Sequence, residues 1–201
     1  MRVLKGVLER PSVYRLWQSA FARAKFEPLL AHNDLSFAGR VLDVGCGPGT
    51  NAGYFPGKRY VGIDINPRYI AYARRRYKEH QFIVADVTAW QPEVDEGFDL
   101  VLVNSLLHHL DDDATRRVFT SLSTALARRG HLHMLELVQP TEGVMAKWLA
   151  GVDRGQFSRS VRQWEDLFRE RYDVILVHPY ALTVARTTLW NMVYVKGSRR
   201  A

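Results

Sequence analysis

The chain has 201 residues, of which 47% are hydrophobic and 24% are charged. We expect residues 1–201 to form one domain with a sizeable core, because two domains of ordinary size need a longer chain. No apolar run approaches the roughly 20 residues that cross a bilayer, which argues against a membrane span. Charged residues interrupt the first turns and argue against a secretory signal; they are Arg2, Lys5, Glu9 and Arg10.

The charge balance is basic, with a formal net charge of +7. Such a balance raises nucleic acid or an anionic membrane as partners. However, the charges are scattered, and the densest run, Arg74–Arg76, falls on a predicted surface helix. The single cysteine, Cys46, excludes an intramolecular disulfide and a multi-cysteine zinc site. We therefore expect a reducing cytoplasmic location, no metal site and no nucleic-acid partner, with a monomer and a homodimer both open.

The first 38 residues are predicted to form a cap of helices. Leu16–Leu30 has apolar residues near helical spacing, and a shorter helix around Ser12–Trp17 either precedes or joins it. From residue 40 the pattern changes to short apolar strands that alternate with helices. Five strands are predicted first, at Arg40–Val44, Arg59–Asp64, Gln81–Asp86, Phe98–Asn104 and His131–Val138.

Two helices are predicted between these strands. One begins at Pro67, a residue favoured in the first helical turn, and runs through Tyr77. The other runs from about Asp113 to Arg128 behind an acidic run that can cap it. Gly130 is predicted to end this second helix, so that the fifth strand begins directly after it.

The last two strands are predicted at about Tyr172–His178 and Leu189–Lys196. We expect them to pair antiparallel, because a parallel crossover needs about a dozen residues or more. The alternation of apolar strands and helices predicts an α/β fold, Rossmann-like and doubly wound, with a mostly parallel seven-stranded sheet and an antiparallel last strand. Residues 39–138 would form the ligand-binding core and residues 171–197 the closing strands.

The most informative segment is Val41–Thr50. An apolar strand runs into Gly45, Gly47 and Gly49, with Asp43 two residues before the first glycine. Such a stretch ends a buried strand and turns the chain tightly toward a helix, and the missing side chains let a ligand lie on the main chain. A carboxylate here would repel a pyrophosphate and attract an ammonium group. The pattern predicts a nucleotide-type pocket for a ligand that carries a positive charge.

Three carboxylates stand at or near the ends of successive predicted strands. Asp43, Asp64 and Asp86 are 21 and then 22 residues apart, which is one β–α unit each time. All three should therefore emerge along the edge where open α/β sheets bind ligands. Asp64 is placed to accept hydrogen bonds from ribose hydroxyls, Asp86 to reach an adenine amine, and Asp43 to face the ammonium group. Each alone could also be a helix cap or a turn residue.

A nicotinamide dinucleotide is the competing ligand. Gly47–Ala52 fits the pattern G-x-G-x-x-A, although short glycine patterns are weak evidence. Pro48 removes one of the backbone donors that a pyrophosphate would use. This loss favours the cationic ligand over the dinucleotide.

These residues fall into segments that resemble the class I S-adenosylmethionine-dependent methyltransferases over residues 38–138. The segments are Val41–Gly49, Val61–Ile65, Val84–Val87, and Phe98–Asn104 with Leu107–Leu110. The resemblance implies S-adenosylmethionine as cofactor and S-adenosylhomocysteine as product. It also implies the cofactor-binding residues, which are Asp43, Gly45, Cys46, Gly47, Gly49, Asp64, Ile65, Asp86, Val87, Asn104 and, in an N-terminal segment that covers the methionine end in related enzymes, Tyr14. One departure is Pro56–Gly57, which shortens the helix after the glycine turn.

The end of the fourth predicted strand bears on the methyl acceptor. Asn104–Leu107 lacks the Asn/Asp-Pro-Pro-aromatic run of enzymes that methylate nucleic-acid amines, and no Pro-Cys stands there to attack a pyrimidine. These absences favour a small-molecule acceptor, methylated at oxygen, nitrogen or carbon. His108 and His109 are the catalytic candidates, because a histidine base serves a hydroxyl or protonated-amine acceptor near neutral pH. One of them could instead pack beneath the cofactor loop, and Glu136 is a weaker candidate.

Residues 139–170 are predicted to form a substrate lid between the fifth and sixth strands. The segment combines aromatic and basic side chains, namely Trp148, Arg154, Phe157, Arg159, Arg162 and Trp164. Such a mixture suits an apolar or anionic substrate, and it is equally typical of an amphipathic pair of surface helices. Because the motifs report cofactor binding only, a non-methylating reaction such as cyclisation, a non-catalytic binding role and RNA methylation stay open as alternatives.

Overall fold

A computed structural model describes residues 22–92, 97–139, 157–184 and 187–200 of the chain. The predicted helix around Ser12–Trp17 and the beginning of the predicted helix Leu16–Leu30 lie outside these ranges. Within them, the N-terminal region contributes helix α1, residues 22–31. Of the helices in the described ranges, none is long and apolar enough to pass through a membrane.

The described residues contain one sheet of seven strands. They are β1 (Arg40–Val44), β2 (Arg59–Asp64), β3 (Gln81–Val84), β4 (Phe98–Asn104), β5 (Leu126–Val138), β6 (Tyr172–Val184) and β7 (Thr187–Arg199). Their order is β3-β2-β1-β4-β5-β7-β6. Strand β7 is antiparallel to both of its neighbours, whereas the pairs among β1 to β5 are parallel. This topology confirms the predicted Rossmann-like fold class.

Within the described ranges, three further α-helices flank the sheet, namely α2 (Pro67–Arg76), α3 (Asp112–Ala125) and α4 (Val161–Arg169). Each begins at a side chain that accepts from the free backbone N–H groups of the first turn. Asn66 and Asp111 cap α2 and α3 in this way. Ser160 caps α4 and forms a reciprocal capping box with Gln163. The local sequence therefore accounts for where each of these helices begins.

The sheet is covered on both faces, because successive side chains of a strand point to opposite sides. In β4, Val101 and Val103 pack in the core that includes residues of α3 and α4. The intervening Leu100 and Leu102 pack in a second core, which includes residues of α1 and α2. The central strands are therefore apolar at nearly every position, as the sequence pattern indicated.

The predicted end of α3 was wrong. The helix ends at Ala125 rather than Arg128, and β5 begins at Leu126, so that Gly130 lies inside the strand. The strand contains a bulge, since Phe98 pairs with Leu126 while the next pair is Leu100 with His131. A Cβ at Gly130 would lie 2.3 Å from the Phe98 carbonyl oxygen. The glycine therefore permits close backbone approach in the bulge instead of terminating the helix.

The closing strands are longer than predicted. The segment from Pro179 to Thr188, expected to be a connection, largely continues β6 and β7 as an antiparallel ribbon in which Leu182 pairs with Trp190. Pro179 is tolerated because β6 is the edge strand of the sheet. Strand β3, by contrast, is shorter than predicted, since it ends at Val84 rather than Asp86.

Candidate functional site

The glycine turn after β1 has a backbone conformation that other residues disfavour. Gly45, Gly47 and Gly49 have φ angles of 72°, 54° and 79°, in the left-handed region that glycine adopts readily. The Gly45 and Cys46 nitrogens both donate to the Ile63 carbonyl oxygen, at 2.8 and 3.0 Å. The turn therefore closes onto the end of β2, at the carboxyl edge of the parallel strands.

Asp64 connects the end of β2 to the same turn. Its Oδ2 accepts from the Gly47 nitrogen at 2.9 Å, and its Oδ1 accepts from the Asn66 nitrogen at 2.8 Å. Burial raises the pKa of Asp64, and the two backbone donors oppose that rise. Each carboxylate oxygen has a second lone pair, so this half-buried side chain can hold the turn and also accept from a ligand.

Asp43 lies deeper than the sequence suggested. Its side chain is fully buried, and its Oδ2 accepts from the Tyr60 hydroxyl at 2.5 Å and from the Asn51 amide at 3.1 Å. Burial raises the pKa of Asp43 to about 6 in spite of these hydrogen bonds. The carboxylate is absent from the wall of the adjacent cleft, whereas Asn51 lines it. Any influence of Asp43 on a ligand in the cleft would therefore pass through Asn51.

The cleft lies between α1, the glycine turn and the end of β4, and it is open to solvent on one side. The described residues that line it are Ala22, Lys25, Gly45, Cys46, Gly47, Thr50, Asn51, Asn104 and Ser105. Four of the residues predicted to bind cofactor, Gly45, Cys46, Gly47 and Asn104, are thus brought together. The other described residues that were predicted to bind cofactor are outside this lining, namely Asp43, Gly49, Asp64, Ile65, Asp86 and Val87, and Tyr14 lies outside the described residues.

A chain of polar contacts runs along the cleft. Lys25 Nζ lies 3.4 Å from Ser105 Oγ, and Ser105 Oγ lies 3.2 Å from Asn104 Oδ1. Asn104 Nδ2 donates in turn to Asn51 Oδ1 at 3.4 Å, and Asn51 reaches Asp43. The chain therefore joins a lysine of α1 to the buried carboxylate of β1.

The residues predicted to bind cofactor or to act in catalysis did not include Lys25, Thr50, Asn51 or Ser105. Thr50 and Asn51 directly follow the glycines, and Ser105 follows Asn104, so their nearness to the motifs was the available signal. Lys25 carried no such signal, because its partner Ser105 is 80 residues away. Only the packing of α1 against the sheet brings it to the cleft.

The predicted adenine side of the site exposes apolar side chains at the carboxyl edge. Ile65, directly after β2, is 66% exposed, and Val84, the last residue of β3, is 47% exposed. Asp86 is also exposed, and its Oδ1 accepts from the Thr88 hydroxyl and nitrogen at 2.7 and 2.9 Å, which lowers its pKa. Val87 beside it is half-buried. An exposed apolar surface next to an ionised carboxylate suits an aromatic ring that carries an amine.

Cys46 is almost fully buried, at 3% exposure. A Cβ at Gly62 of the neighbouring strand would lie 2.8 Å from its sulfur, so the thiol occupies space that a glycine provides. Burial raises the pKa of the Cys46 thiol, which disfavours the nucleophilic thiolate. Its geometry is that of a small packing residue at the wall of the cleft.

A buried carboxylate holds the loop after β4. Glu136 of β5 is fully buried, and its Oε1 accepts from the Leu106 and Leu107 nitrogens at 2.8 and 2.6 Å. Its Oε2 lies 2.8 Å from Nδ1 of the buried His108. Burial acts to raise the pKa of Glu136, but His108 and the two backbone donors outweigh it and lower the pKa. His109 is exposed, with its ring centroid 4.1 Å from that of His108.

The same loop packs on the glycine turn. A Cβ at Gly45 would lie 3.0 Å from the Leu106 side chain. Ser105 has a φ of 55°, a left-handed conformation that no other described residue besides glycine adopts, and its nitrogen donates to the Leu135 carbonyl oxygen at 2.8 Å. Backbone conformations of this kind cluster at functional sites. Neither His108 nor His109 is among the described residues that line the cleft.

The histidines of β5 face a different environment. His133 is fully buried, with Nδ1 2.8 Å from the Tyr194 hydroxyl. Burial, together with the nearby Lys196 and His131, lowers the pKa of His133 to about 3. Within the described ranges, no group of three or more His, Cys, Asp or Glu side chains could hold a metal ion.

The described end of the predicted lid belongs to the core. Trp164 is fully buried and its indole nitrogen donates to the Leu137 carbonyl oxygen at 2.8 Å. Arg159 is 4% exposed, and its guanidinium contacts the Asp112 carboxylate and lies 4.5 Å from the Trp164 ring. Phe157 and Arg162 are exposed. The remaining lid candidates, Trp148 and Arg154, lie outside the described residues.

Comparison with known proteins gives three kinds of match. The methyltransferase domain family matches residues 41–130. Trans-aconitate 2-methyltransferase of Paracidovorax citrulli (strain AAC00-1) is 36% identical over 119 residues, which cover 56% of this chain and 45% of that protein. The enzyme of the same name from Escherichia coli O157:H7 (strain EC4115 / EHEC) is 38% identical over 106 residues, covering 51% of this chain and 41% of that protein. The chain thus spans a little under half the length of these curated relatives.

Solved structures share the fold at low identity. Mitomycin 7-O-methyltransferase MmcR superposes with a TM-score of 0.72 at 19% identity, covering 94% of this chain and 57% of that chain. The N-methyltransferase NodS from Bradyrhizobium japonicum WM9, in complex with S-adenosylhomocysteine, gives a TM-score of 0.66 at 18% identity and covers 93% of this chain and 87% of that chain. The matched domain, the sheet order and the glycine turn make this chain similar to the class I S-adenosylmethionine-dependent methyltransferases.

Proposed function

We propose that the chain binds S-adenosylmethionine and transfers its methyl group to a small-molecule acceptor, with release of S-adenosylhomocysteine. The observation that carries the proposal is the left-handed glycine turn whose Gly47 nitrogen is held by Asp64 from the next strand. That arrangement leaves bare backbone at the cleft and a carboxylate beside it. Both features fit a nucleoside that carries a cationic amino-acid tail rather than a pyrophosphate.

Each part of the cofactor has a matching group in this chain. Asp64 would accept hydrogen bonds from the ribose hydroxyls, and the exposed Ile65 and the half-buried Val87 would contact the adenine ring beside Asp86. The bare backbone around Gly45 would adjoin the methionine part. When bound, the cofactor supplies an electrophilic methyl group on a sulfonium.

The work of the protein is then to orient an acceptor, because methyl transfer from a sulfonium is an in-line displacement. The end of β4 and its following loop are placed for this, since Asn104 and Ser105 line the cleft. Glu136 holds that loop through Leu106, Leu107 and His108. Because the loop is already held in place, an acceptor bound to it would lose less conformational freedom in reaching the geometry for in-line transfer.

We propose a carboxylate oxygen of a small acid as the acceptor atom. The support is that the relatives from Paracidovorax citrulli and Escherichia coli are both named trans-aconitate 2-methyltransferase. A carboxylate is already ionised near neutral pH and needs no base. If the acceptor is instead a hydroxyl or an ammonium group, the pair formed by His108 and Glu136 would supply one, with His109 as the exposed alternative.

Calorimetric titration with S-adenosylhomocysteine tests the cofactor part. Asp64→Ala should abolish measurable binding, because it removes both the ribose acceptor and the contact to Gly47. Asp99→Ala is the matched control, since Asp99 Oδ2 also accepts from two backbone nitrogens, those of Gly39 and Arg40, at 2.8 Å, but at the amino end of β1. Undiminished binding by Asp64→Ala, with folding verified by circular dichroism, would refute the proposed site.

Product analysis tests the transfer itself. Incubation with S-adenosylmethionine and trans-aconitate should yield a product heavier by one methylene equivalent, together with S-adenosylhomocysteine. A panel of other small acids, alcohols and amines identifies the acceptor class if trans-aconitate is not converted. A rearranged product of unchanged mass, without release of S-adenosylhomocysteine, would favour cyclisation, and salt-sensitive RNA binding would favour RNA methylation.

Two further expectations stay predictions. A reducing cytoplasmic location depends on Cys46 being the single cysteine of the sequence. A monomer and a homodimer are both compatible with the sequence, and light scattering of the purified protein distinguishes them.

A further inference from the structure

We propose that Lys25 and Ser105 form a binding site for a carboxylate at the end of the cleft where β4 terminates. The inference rests on the proposed function, because it takes the cleft to hold S-adenosylmethionine and its acceptor. Two carboxylates could occupy such a site. One is the methionine carboxylate of the methyl donor, and the other belongs to the acceptor.

The charge of the cleft supports an anionic group here. Of the described residues that line the cleft, Lys25 alone carries a formal charge, and the others are small, apolar or neutral polar residues. The carboxylate of Asp43 lies at the far end of the polar chain that begins at Lys25, behind Asn51. A cationic group therefore stands at one end of this chain and an anionic group at the other, which complements a ligand whose own charges are separated.

The geometry of Ser105 supports a built site. Its φ of 55° is a strained conformation for a residue with a side chain, and its nitrogen is anchored to the Leu135 carbonyl oxygen. This conformation brings Ser105 Oγ within 3.4 Å of Lys25 Nζ while the serine lines the cleft. A hydroxyl beside an ammonium group offers a carboxylate two kinds of donor, one of them charged.

The residues that follow Ser105 in the chain are also anchored by hydrogen bonds. Glu136 accepts from the nitrogens of Leu106 and Leu107, the residues that follow Ser105. Ser105 is thus held between the end of β4 and an anchored turn, while Lys25 is carried by α1. Two separate parts of the chain converge on one point of the cleft, as expected for a ligand contact.

Binding measurements on Lys25→Gln test the proposal and separate the two sources. If the donor carboxylate occupies the site, the substitution should weaken S-adenosylhomocysteine binding by about 10- to 100-fold, the range for losing a charged hydrogen bond. It should leave the affinity for 5′-methylthioadenosine, which lacks the amino-acid tail, unchanged. If the acceptor carboxylate occupies the site, both nucleosides should bind normally and trans-aconitate should bind the S-adenosylhomocysteine-saturated protein at least about 10-fold more weakly.

Three variants provide the controls. Lys25→Arg keeps the charge and should restore most of the affinity. Lys58→Gln is matched, since Lys58 also contacts a serine oxygen, the Ser36 carbonyl at 2.6 Å, but outside the cleft. Ser105→Gly removes the hydroxyl while accepting the left-handed backbone, so it should weaken the carboxylate ligand without lowering the melting temperature.

Two results would overturn the proposal. One is equal affinity of Lys25→Gln and the wild type for S-adenosylhomocysteine, 5′-methylthioadenosine and trans-aconitate. The other is an equal loss for both nucleosides, which would make Lys25 a support of the cleft rather than a carboxylate ligand. A wild type that binds neither nucleoside would refute the proposed function together with this inference, whereas normal wild-type binding limits a negative result to Lys25 and Ser105.

Discussion

The glycine turn after β1 and the loop after β4 contact each other across the cleft, yet they are held in different ways. The turn owes its shape to Gly45, Gly47 and Gly49 and to backbone hydrogen bonds with β2. The loop contains no glycine, and it is held by Glu136, about 30 residues further along the chain. The backbone conformation of the turn depends on its own glycines, whereas that of the loop depends on a buried carboxylate about 30 residues away. Substitutions in the two regions should therefore have different consequences.

The largest expected effect is on the loop. Glu136→Leu would leave the Leu106 and Leu107 nitrogens and His108 without their acceptor in a buried site. Breaking a buried polar network from one side costs about 3–5 kcal/mol, which urea denaturation measures. Glu136→Gln retains an acceptor and should cost clearly less. Equal stability of Glu136→Leu and the wild type would show that the loop does not depend on this side chain.

The second effect concerns the buried acid beneath the turn. The pKa of Asp43 is raised from 3.8 to about 6 in the folded protein, so the folded state holds its proton more tightly than the unfolded state. Its contribution to stability is therefore greatest below pH 4 and is lost as the pH rises through 6, a change of about 3 kcal/mol. Asp43→Asn should remove this dependence.

The measurement is the difference in unfolding free energy between the wild type and Asp43→Asn from pH 4 to pH 7. The difference is needed because His133 acts in the opposite direction. Its pKa falls from 6.5 to about 3 on folding, so its contribution is present above pH 6.5 and is lost as the pH falls. A difference curve without slope between pH 4 and 6 would contradict the assigned pKa of Asp43.

A smaller loss of stability, with a specific loss of binding, is expected in the turn. Gly45→Ala places a Cβ 3.0 Å from the Leu106 side chain at a φ of 72°, which should cost about 1–3 kcal/mol. S-adenosylhomocysteine affinity should fall by at least about 10-fold, because the backbone moves at the proposed cofactor site. Gly57→Ala is the control, since it also has a positive φ but no atom within 4 Å of the added Cβ. Loss of affinity in both variants would indicate a general effect of strain.

The smallest effect is expected for the loop histidine if the acceptor is a carboxylate. His108→Gln should then change kcat by less than about 3-fold, because no proton has to be removed. For a hydroxyl acceptor, the same variant should lose about 100- to 10,000-fold in kcat. Steady-state rates with matched acid and alcohol acceptors distinguish these cases. A large loss with the acid would show that His108 does more than hold the loop.

Features that depend on neighbouring residues were predicted correctly from the sequence, and features that depend on contacts between distant residues were not. The strands β2 and β4 were predicted at their observed bounds, because apolar runs and glycine or proline signals are local properties. The end of α3 was predicted incorrectly, because the role of Gly130 depends on the Phe98 carbonyl in a different strand. The lengths of β6 and β7 were underestimated because antiparallel pairing extends strands beyond their apolar cores.

The sequence by itself determined the sheet, its glycine turn and the carboxylates at its edge, because spacing along a β–α unit fixes which edge a residue reaches. Only the tertiary structure decided what those groups face. Burial placed Asp43 behind Asn51 instead of at the cleft. Packing of α1 brought Lys25 to Ser105, and β5 supplied Glu136 to the loop. These contacts join residues far apart in the chain, and no local pattern records them.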